Sequence, residues 1–312
     1  MGRVTASASG GDRPALVMLA AGMAKRYGGC KPLAPVGLHG QAVIDLIAGD
    51  AMAAGFGHIV LVLGPQTGPA IAYHVRQVFP AGVVVAFTEQ RVPLGTAHAV
   101  LCARKYVGDG PFAVVNADDV YGAPAMSQLA RQLAEDDEHA IVSYRLRDTV
   151  VGDAPVTRGT CEVGRDGNLV RLVERRAVAR RADGNFGAAD GLDPSELPGD
   201  TPVSMNLWGF RPSIWPVLEA AVLATHPSVS PDGSVPEPSQ LTSHDEVLLP
   251  EVVGDMIAGR SANGDVGTVR VIAGEGRCLG VTHADDLPLV RNELALLVAQ
   301  GLRPEGPWDA PV

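Results

Sequence analysis

The feature that most constrains this chain is the alternation of short apolar runs with helix-like segments over its first 145 residues. Strands that alternate with helices at this spacing favour a mostly parallel sheet with helices on both faces. The sequence therefore predicts an α/β fold, a three-layer sandwich. The predicted strands are 15–19, 58–63, 83–87, 112–115 and 140–144, and the predicted helices are 41–55, 69–79, 97–107 and 125–135.

The pattern changes near residue 150. Two short apolar runs, 160–163 and 169–173, flank a turn of Arg, Asp, Gly and Asn, which predicts a β-hairpin. Residues 183–202 and 227–243 are rich in Gly, Pro, Ser and Asp and are expected to be long surface loops. The remaining predicted elements are strands at 203–210, 266–272 and 279–281 and helices at 212–224, 246–258 and 285–300.

Composition excludes several classes of protein. The 312 residues are 46% hydrophobic and 19% charged, which excludes an extended disordered chain, and the apolar runs are too short to cross a bilayer. A formal net charge of -10 argues against nucleic-acid or anionic-membrane partners. Residues 1–13 lack an apolar segment and are expected to form a disordered leader, which implies a cytoplasmic location. The cysteines form no CxxC pair and are expected to be reduced thiols: Cys30, Cys102, Cys161 and Cys278.

A basic, glycine-containing loop follows the first predicted strand. It carries Lys25, Arg26 and Lys31, and the small residues Ala20, Ala21 and Gly22 before them let the backbone approach a phosphate closely. The loop contains neither GK[ST] nor GxGxxG, so it is neither a Walker A nor a dinucleotide-binding loop. An anion site is predicted here, and a solvated basic loop is the alternative.

Two more segments carry side chains suited to a nucleotide. Gln90 offers an amide donor and acceptor to a base edge, and Gly95 permits close backbone approach. The alternative for this segment is a loop in which Thr96 caps the next helix, and His98 is expected to be a packed helix residue. Asp118 and Asp119 follow the fourth strand, where carboxylates suit magnesium or, alternatively, a turn.

These segments resemble the nucleotidyltransferase superfamily with the signature LAAGxGxR…K(P)xL, which includes sugar-1-phosphate thymidylyl-, uridylyl- and guanylyltransferases. Ala24 stands where the signature has its second glycine. The resemblance implies that Arg26 holds the β- and γ-phosphates, that Lys31 lies near the α-phosphate and that Asp118 binds Mg²⁺. It also assigns nucleotide binding to a further set of residues: Leu19, Ala20, Ala21, Gly22, Gln90, Gly95 and Thr96.

The later segments are similar to the family's sugar-binding hairpin and the strand that closes the sugar pocket. The resemblance implies that Gly159 and Glu174 face the sugar, that Arg175 pairs with its phosphate and that Asn206 contacts a hydroxyl. Arg175 replaces the usual lysine, and a surface Glu/Arg pair is the alternative. The second metal ligand is expected at Asp285, with Thr282 the nearest match in position and a helix N-cap the alternative. Trp208 and Phe210 are expected in the core.

The resemblance implies a Rossmann-like fold of the nucleotide-diphospho-sugar transferase type with a β-rich sugar-binding lobe. Residues 14–150 would form the nucleotide-binding part, 151–302 the sugar-phosphate-binding part of the same domain, and 303–312 a tail. The implied reaction transfers a nucleoside monophosphate from an NTP, with UTP or dTTP favoured, to a sugar-1-phosphate and releases pyrophosphate. A metal-dependent glycosyltransferase, a non-catalytic regulatory subunit and a homo-oligomer remain open.

Overall fold

A computed structural model describes residues 13–22, 29–235, 245–281 and 285–309. Within them, one sheet of eleven strands runs through both parts of the chain, and a separate pair of short strands lies beside it. The strands are β1 (Ala15–Ala20), β2 (His58–Leu63), β3 (Val85–Glu89), β4 (Phe112–Asn116), β5 (Asp119–Val120), β6 (His139–Arg145), β7 (Val156–Val163), β8 (Leu169–Arg180), β9 (Phe186–Gly187), β10 (Glu196–Leu197), β11 (Pro202–Phe210), β12 (Val269–Ala273) and β13 (Leu279–Gly280).

The central strands are parallel, as the alternation predicts. β1 lies between β2 and β4, β2 also pairs with β3, and all of these pairs are parallel. β12 pairs in parallel with β6. The exception is β11, which runs antiparallel to β4, β6 and β7 and so joins the two parts of the sheet.

Helices cover both faces of this sheet. α1, α2, α4 and α7 pack against one face and α3, α5 and α6 against the other, and each face has its own large apolar core. Trp208 and Phe210 of β11 are fully buried, which confirms their predicted place in the core. The helices are α1 (Val43–Ala53), α2 (Gly68–Val78), α3 (Thr96–Val107), α4 (Ala123–Glu135), α5 (Ile214–Thr225), α6 (Leu249–Ile257) and α7 (Asp286–Ala299).

The antiparallel part is larger than the sequence predicts. β8 continues to Arg180, and the segment 183–202, predicted as a loop, contains β9 and β10. β9 pairs with both β8 and β10 because Phe186 and Leu197 bury their side chains in a third, smaller core. The prediction of a continuous loop was therefore wrong in this segment.

The segment after α7, predicted as a tail, lies along the first part of the chain. Arg303 forms an ion pair with Asp50 of α1 at 2.9 Å, and both side chains are buried. Trp308 packs edge-on against Phe79 with ring centroids 5.0 Å apart. A methyl group at Gly49 would overlap the backbone of Pro307, so the last residues and α1 approach at backbone distance. No helix among the described residues is long and apolar enough to span a membrane.

The burial of His139 is expected to make the free energy of unfolding depend on pH. His139 begins β6 and accepts a hydrogen bond from the backbone N–H of Arg211, and burial, followed by the charge of Arg211, lowers its pKa from 6.5 to about 4. The folded state therefore prefers neutral imidazole, so this contribution is intact above pH 6.5 and is lost as the pH falls towards 4. At pH 5 we expect a loss of about 2 kcal/mol of unfolding free energy from this group.

Urea unfolding at pH 7.5 and at pH 5 measures that loss. His139→Asn should reduce the difference between the two pH values, whereas His39→Asn, at an exposed position, should leave it unchanged. An equal acid-induced loss in wild type and His139→Asn would contradict the prediction.

Candidate functional site

The loop after β4 carries the predicted carboxylates and is held by tyrosine hydroxyls. The Tyr121 hydroxyl accepts a hydrogen bond from the backbone N–H of Asn116 and donates one to the carbonyl of Met205, each at 2.9 Å. The Tyr144 hydroxyl donates to the carbonyl of Tyr121 at 2.9 Å. Because both hydroxyls bond to backbone atoms, they fix the loop that presents Asp118 at the end of the sheet.

Lys31 and Asp118 meet at this end of the sheet. The Lys31 Nζ lies 3.4 Å from Asp118 Oδ2, although 87 positions separate the two residues. Lys31 enters from a short 3₁₀ turn, Lys31–Leu33, with its side chain 15% exposed, whereas that of Asp118 is 37% exposed. The carboxylate is therefore open to a ligand on one side and has a cation on the other.

Asp119 lies deeper than Asp118. Burial, together with the adjacent negative charge of Asp118, raises the pKa of the Asp119 carboxyl, while Arg158 and Lys31 oppose the rise. β13 pairs antiparallel with β5, with Gly280 opposite Asp119, so the late strand does approach the carboxylates.

The predicted second metal ligand lies just beyond that strand. Thr282 is outside the described residues, and Asp285 occupies the N-cap position of α7 without a side-chain capping bond there. Asp285 therefore has the backbone position of a helix N-cap, which is the alternative interpretation of this residue. Its role as a metal ligand stays a prediction.

A cavity of about 880 Å³ opens between this loop and the antiparallel strands. It brings Asp118 together with three predicted sugar-side residues, Gly159, Glu174 and Asn206. Asn206 is held in a left-handed conformation with φ 60°, and its Oδ1 accepts a hydrogen bond from the Trp208 indole at 3.2 Å.

The cavity lining includes residues to which the sequence analysis gave no role, and two groups of them carry charge at notable positions. One is a face of α6 and its C-terminal end, which contributes Glu251, Asp255 and Arg260. The four-residue spacing of Glu251 and Asp255 marks one face of a helix, but the sequence gives no signal of what that face meets. The other is Arg158, next to the predicted Gly159.

Arg175 does not line the cavity. Its side chain is 3% exposed and forms a two-point ion pair with Asp190, with Nε–Oδ2 at 2.8 Å and Nη2–Oδ1 at 3.1 Å. Nη2 also donates to the carbonyls of Leu192 and Pro194. The hydrogen bonds from the Arg175 side chain, and to a smaller extent those from the backbone N–H groups of Leu192 and Arg176, hold the pKa of Asp190 well below its usual range. The pairing of Arg175 with a bound sugar phosphate is therefore not supported by its position, and it is not the surface pair of the alternative interpretation either.

The predicted base-reading residues lie outside the cavity lining, where they hold the chain together. The Gln90 Nε2 donates to the Gly95 carbonyl at 2.9 Å and to His98 Nδ1 at 3.0 Å. Gly95 has φ 93°, and a methyl group there would overlap the backbone of Val247, so this contact itself requires glycine. His98 is fully buried, in agreement with a packed helix residue.

Thr96 connects this segment to the cavity. Its hydroxyl accepts a hydrogen bond from the backbone N–H of Leu249, at the start of α6, at 2.8 Å. The N-cap of α3 is Gly95, so the alternative in which Thr96 is the cap was wrong. The segment at 90–96 therefore fixes the helix that forms one wall of the cavity.

Comparison with known proteins identifies this arrangement. Residues 16–226 match the family model of the MobA-like NTP transferase domain, which is more than half of the chain and includes Lys31, Gln90, Asp118, Glu174 and Asn206. The chain belongs to this MobA-like NTP transferase family.

The proteins similar to this family member carry names that refer to different nucleotides and acceptors. UTP--glucose-1-phosphate uridylyltransferase of Escherichia coli K12 is 27% identical over 182 residues, which cover 56% of this chain and 57% of that protein. The inositol-1-phosphate CTP transferase structure from T. maritima aligns at TM-score 0.63 with 16% identity, covering 93% of this chain and 98% of that one. HddC from Yersinia pseudotuberculosis, in complex with GMP-PN, aligns at TM-score 0.58 with 14% identity, covering 90% and 99%.

The amino-terminal loop of this NTP transferase chain is described only at its edges. Leu19 and Ala20 end β1, and the Leu19 carbonyl accepts a hydrogen bond from the backbone N–H of Ala117, beside Asp118, at 3.2 Å. Ala21 and the exposed Gly22 follow. Arg26 lies outside the described residues, so its contact with phosphate stays a prediction. The described part of the loop therefore begins beside the carboxylates.

Proposed function

We propose that this chain transfers a nucleoside monophosphate from a nucleoside triphosphate to a phosphorylated sugar or cyclitol and releases pyrophosphate. The observation that carries the proposal is that Asp118, paired with Lys31, lines one cavity together with Gly159, Glu174 and Asn206. A cation and an exposed carboxylate at one end of a polar cavity suit the meeting of two phosphates, and hydroxyl-binding groups line the rest.

The proposed chemistry needs no protein nucleophile. A phosphate oxygen of the acceptor attacks the α-phosphorus, the bond from that phosphorus to the bridging oxygen breaks, and pyrophosphate leaves. The chain aligns the two reactants and neutralises charge: Lys31 acts near the α-phosphate and Arg26 at the β- and γ-phosphates. Glu174 accepts hydrogen bonds from acceptor hydroxyls, and Asn206 adds an amide contact.

The donors near Asp118 fit a hard divalent cation such as Mg²⁺. Asp118 supplies an exposed carboxylate oxygen, and Asp119 and Asn116 line the same wall. We propose Asp118 as the first protein ligand and Asp285 as the second. When bound, Mg²⁺ would withdraw charge from the phosphate oxygens of the triphosphate.

For the base we propose a pyrimidine, UTP or dTTP. Both N–H donors of the Gln90 amide are used within the chain, by Gly95 and His98, which leaves its Oε1 as the acceptor for a ligand. An amide oxygen pairs with the N3–H of uracil or thymine. The names of the relatives include uridylyl and CTP transferases, so they do not agree on one base.

A substrate screen tests the proposed function. Each of the common nucleoside triphosphates is combined with a panel of sugar-1-phosphates and cyclitol phosphates, with Mg²⁺, and pyrophosphate release is measured. We expect release that requires both substrates. Hydrolysis or transfer from a nucleotide-sugar, without any pyrophosphate release, would instead support the glycosyltransferase alternative. Binding without turnover would support the regulatory alternative.

Gln90→Ala tests the nucleotide half of the site. We expect the KM for the triphosphate to rise by about tenfold or more, since one hydrogen-bonding amide and its support of Gly95 are lost. Discrimination between bases should weaken, and the KM for the acceptor should stay near its wild-type value. Gln77→Ala, at an exposed position on α2, is the matched control. A variant that kept its base preference and lost acceptor affinity would place this loop in the other half.

A further inference from the structure

Arg158 is a cavity residue to which the predicted site gives no role. It lies in β7 beside Gly159, and the cavity it lines also contains Asp118 and Asp119. Its guanidinium is held in place by three neutral oxygens. Nε donates to Thr149 Oγ1 at 3.0 Å, Nη2 to the Thr149 carbonyl at 2.6 Å and Nη1 to the Thr157 carbonyl at 2.8 Å.

These bonds leave part of the guanidinium free. An arginine has five N–H donors, and three are used, so one on each terminal nitrogen has no acceptor among the described residues. Two donors at this spacing match two oxygens of a phosphate. The Thr149 contacts fix the plane of the fork before any ligand arrives, which reduces the entropy lost on binding.

The positive charge of Arg158 also has no contacting counter-ion among the described residues. No described carboxylate lies within ion-pair distance of its guanidinium, although the carboxylates of Asp119 and Asp286 act on it through space. Three other arginines line the cavity. Arg176 is paired with Glu174 at 2.8 Å and Arg260 with Asp255 at 2.8 Å, whereas Arg171 is exposed on β8 opposite Glu162. Arg158 differs from all three because its guanidinium is fixed by hydrogen bonds to neutral oxygens.

The register of the hairpin relates Arg158 to Arg175, the residue that the resemblance assigns to the sugar phosphate. Arg158 of β7 lies directly opposite Arg175 of β8. Arg175 is withdrawn into its buried pair with Asp190, so the cation at this level of the hairpin that borders the cavity comes from the neighbouring strand.

We infer that Arg158, in place of Arg175, binds the phosphate of the acceptor substrate through the two free N–H groups of its guanidinium. The inference rests on the proposed function for the identity of the acceptor. It names Arg158 as the residue that distinguishes a phosphorylated acceptor from the free sugar or cyclitol.

Calorimetry with defined probes tests the assignment without turnover. Glucose 1-phosphate and inorganic phosphate are titrated into wild type, Arg158→Gln, Arg158→Lys and the control Arg165→Gln, with neutral glucose as the reference ligand. Arg165 is exposed in the turn between β7 and β8 and is not among the residues that line the cavity. We expect Arg158→Gln to weaken binding of both phosphates by about 10- to 100-fold, the range for a lost hydrogen-bonded charge. Arg158→Lys should lie between Arg158→Gln and wild type, because it keeps the charge and loses the fork. Circular dichroism confirms folding of each variant.

Three results would overturn the assignment: equal binding by Arg158→Gln and wild type, an equal loss in Arg165→Gln, or wild-type binding of glucose and glucose 1-phosphate with the same affinity. Where Arg158→Gln does not fold, equal binding by Arg158→Lys and wild type overturns it as well. The proposed function fails separately. Arg158-dependent phosphate binding without pyrophosphate release in any substrate pair would sink the proposed function and leave this inference standing.

Discussion

Asp118→Ala is expected to lower Mg²⁺-dependent pyrophosphate release by about 10³-fold or more, because a metal ligand supplies several kcal/mol of transition-state stabilisation and each 1.36 kcal/mol is tenfold in rate. Asp118→Asn should lose nearly as much, since it keeps the shape and removes the charge. The thermal midpoint should change little, because the relief of repulsion with Asp119 offsets the loss of the ion pair between Asp118 and Lys31.

The matched control is Asp109→Ala, an exposed aspartate between α3 and β4. It should leave both turnover and stability unchanged. Near-normal pyrophosphate release by Asp118→Ala would remove Asp118 from the metal role, and a large drop in the thermal midpoint would mean that the loop, rather than the chemistry, had been disturbed.

Lys31→Ala is expected to lower turnover by about 10²- to 10³-fold, the usual loss when one fixed charge-stabilising donor is removed from a transition state. Lys31 is largely buried and has Asp118 as its described counter-ion, so its position is set before substrate arrives. Arg26→Ala should cause a loss of the same order, although its contacts lie outside the described residues.

Lys25→Ala is the matched control for both, since it lies in the same loop and outside the matched positions of the signature. It should lower turnover only weakly. Single-turnover rates at saturating substrate separate this effect from binding. Equal losses in all three variants would mean that the loop acts as a diffuse positive patch.

The parallel half of the fold could be predicted because its signals are local. A strand covered by helices on both faces is a continuous apolar run, and such runs placed β1, β2 and β4 to within one residue. The two-residue strands β9 and β10 carry too little pattern to be seen. They form because Phe186 and Leu197 find a common core, which depends on the tertiary structure.

In the candidate site, too, some features could be predicted from local sequence signals and others depend on the tertiary structure. The sequence signature indicates Lys31 and Asp118 together, and the fold brings them together. The withdrawal of Arg175 depends on Asp190, which lies in a segment without a recognisable motif. The proximity of Arg158 to Asp119 depends on how β7 pairs with β11, which in turn pairs with β4. Residue type and spacing along the chain do not contain that information.

The ion pair between Arg303 and Asp50 has a consequence for synthesis of the chain. The two residues lie 253 positions apart in the sequence. At ordinary elongation rates the ribosome therefore adds Arg303 on the order of ten to fifty seconds after Asp50. During that time Asp50 has no arginine to accompany it into the interior, and burying a lone carboxylate costs several kcal/mol. Packing of α1 is therefore expected to be less favourable before Arg303 is made. The final contacts of α1 and α2 form only when residues 303–309 have been made.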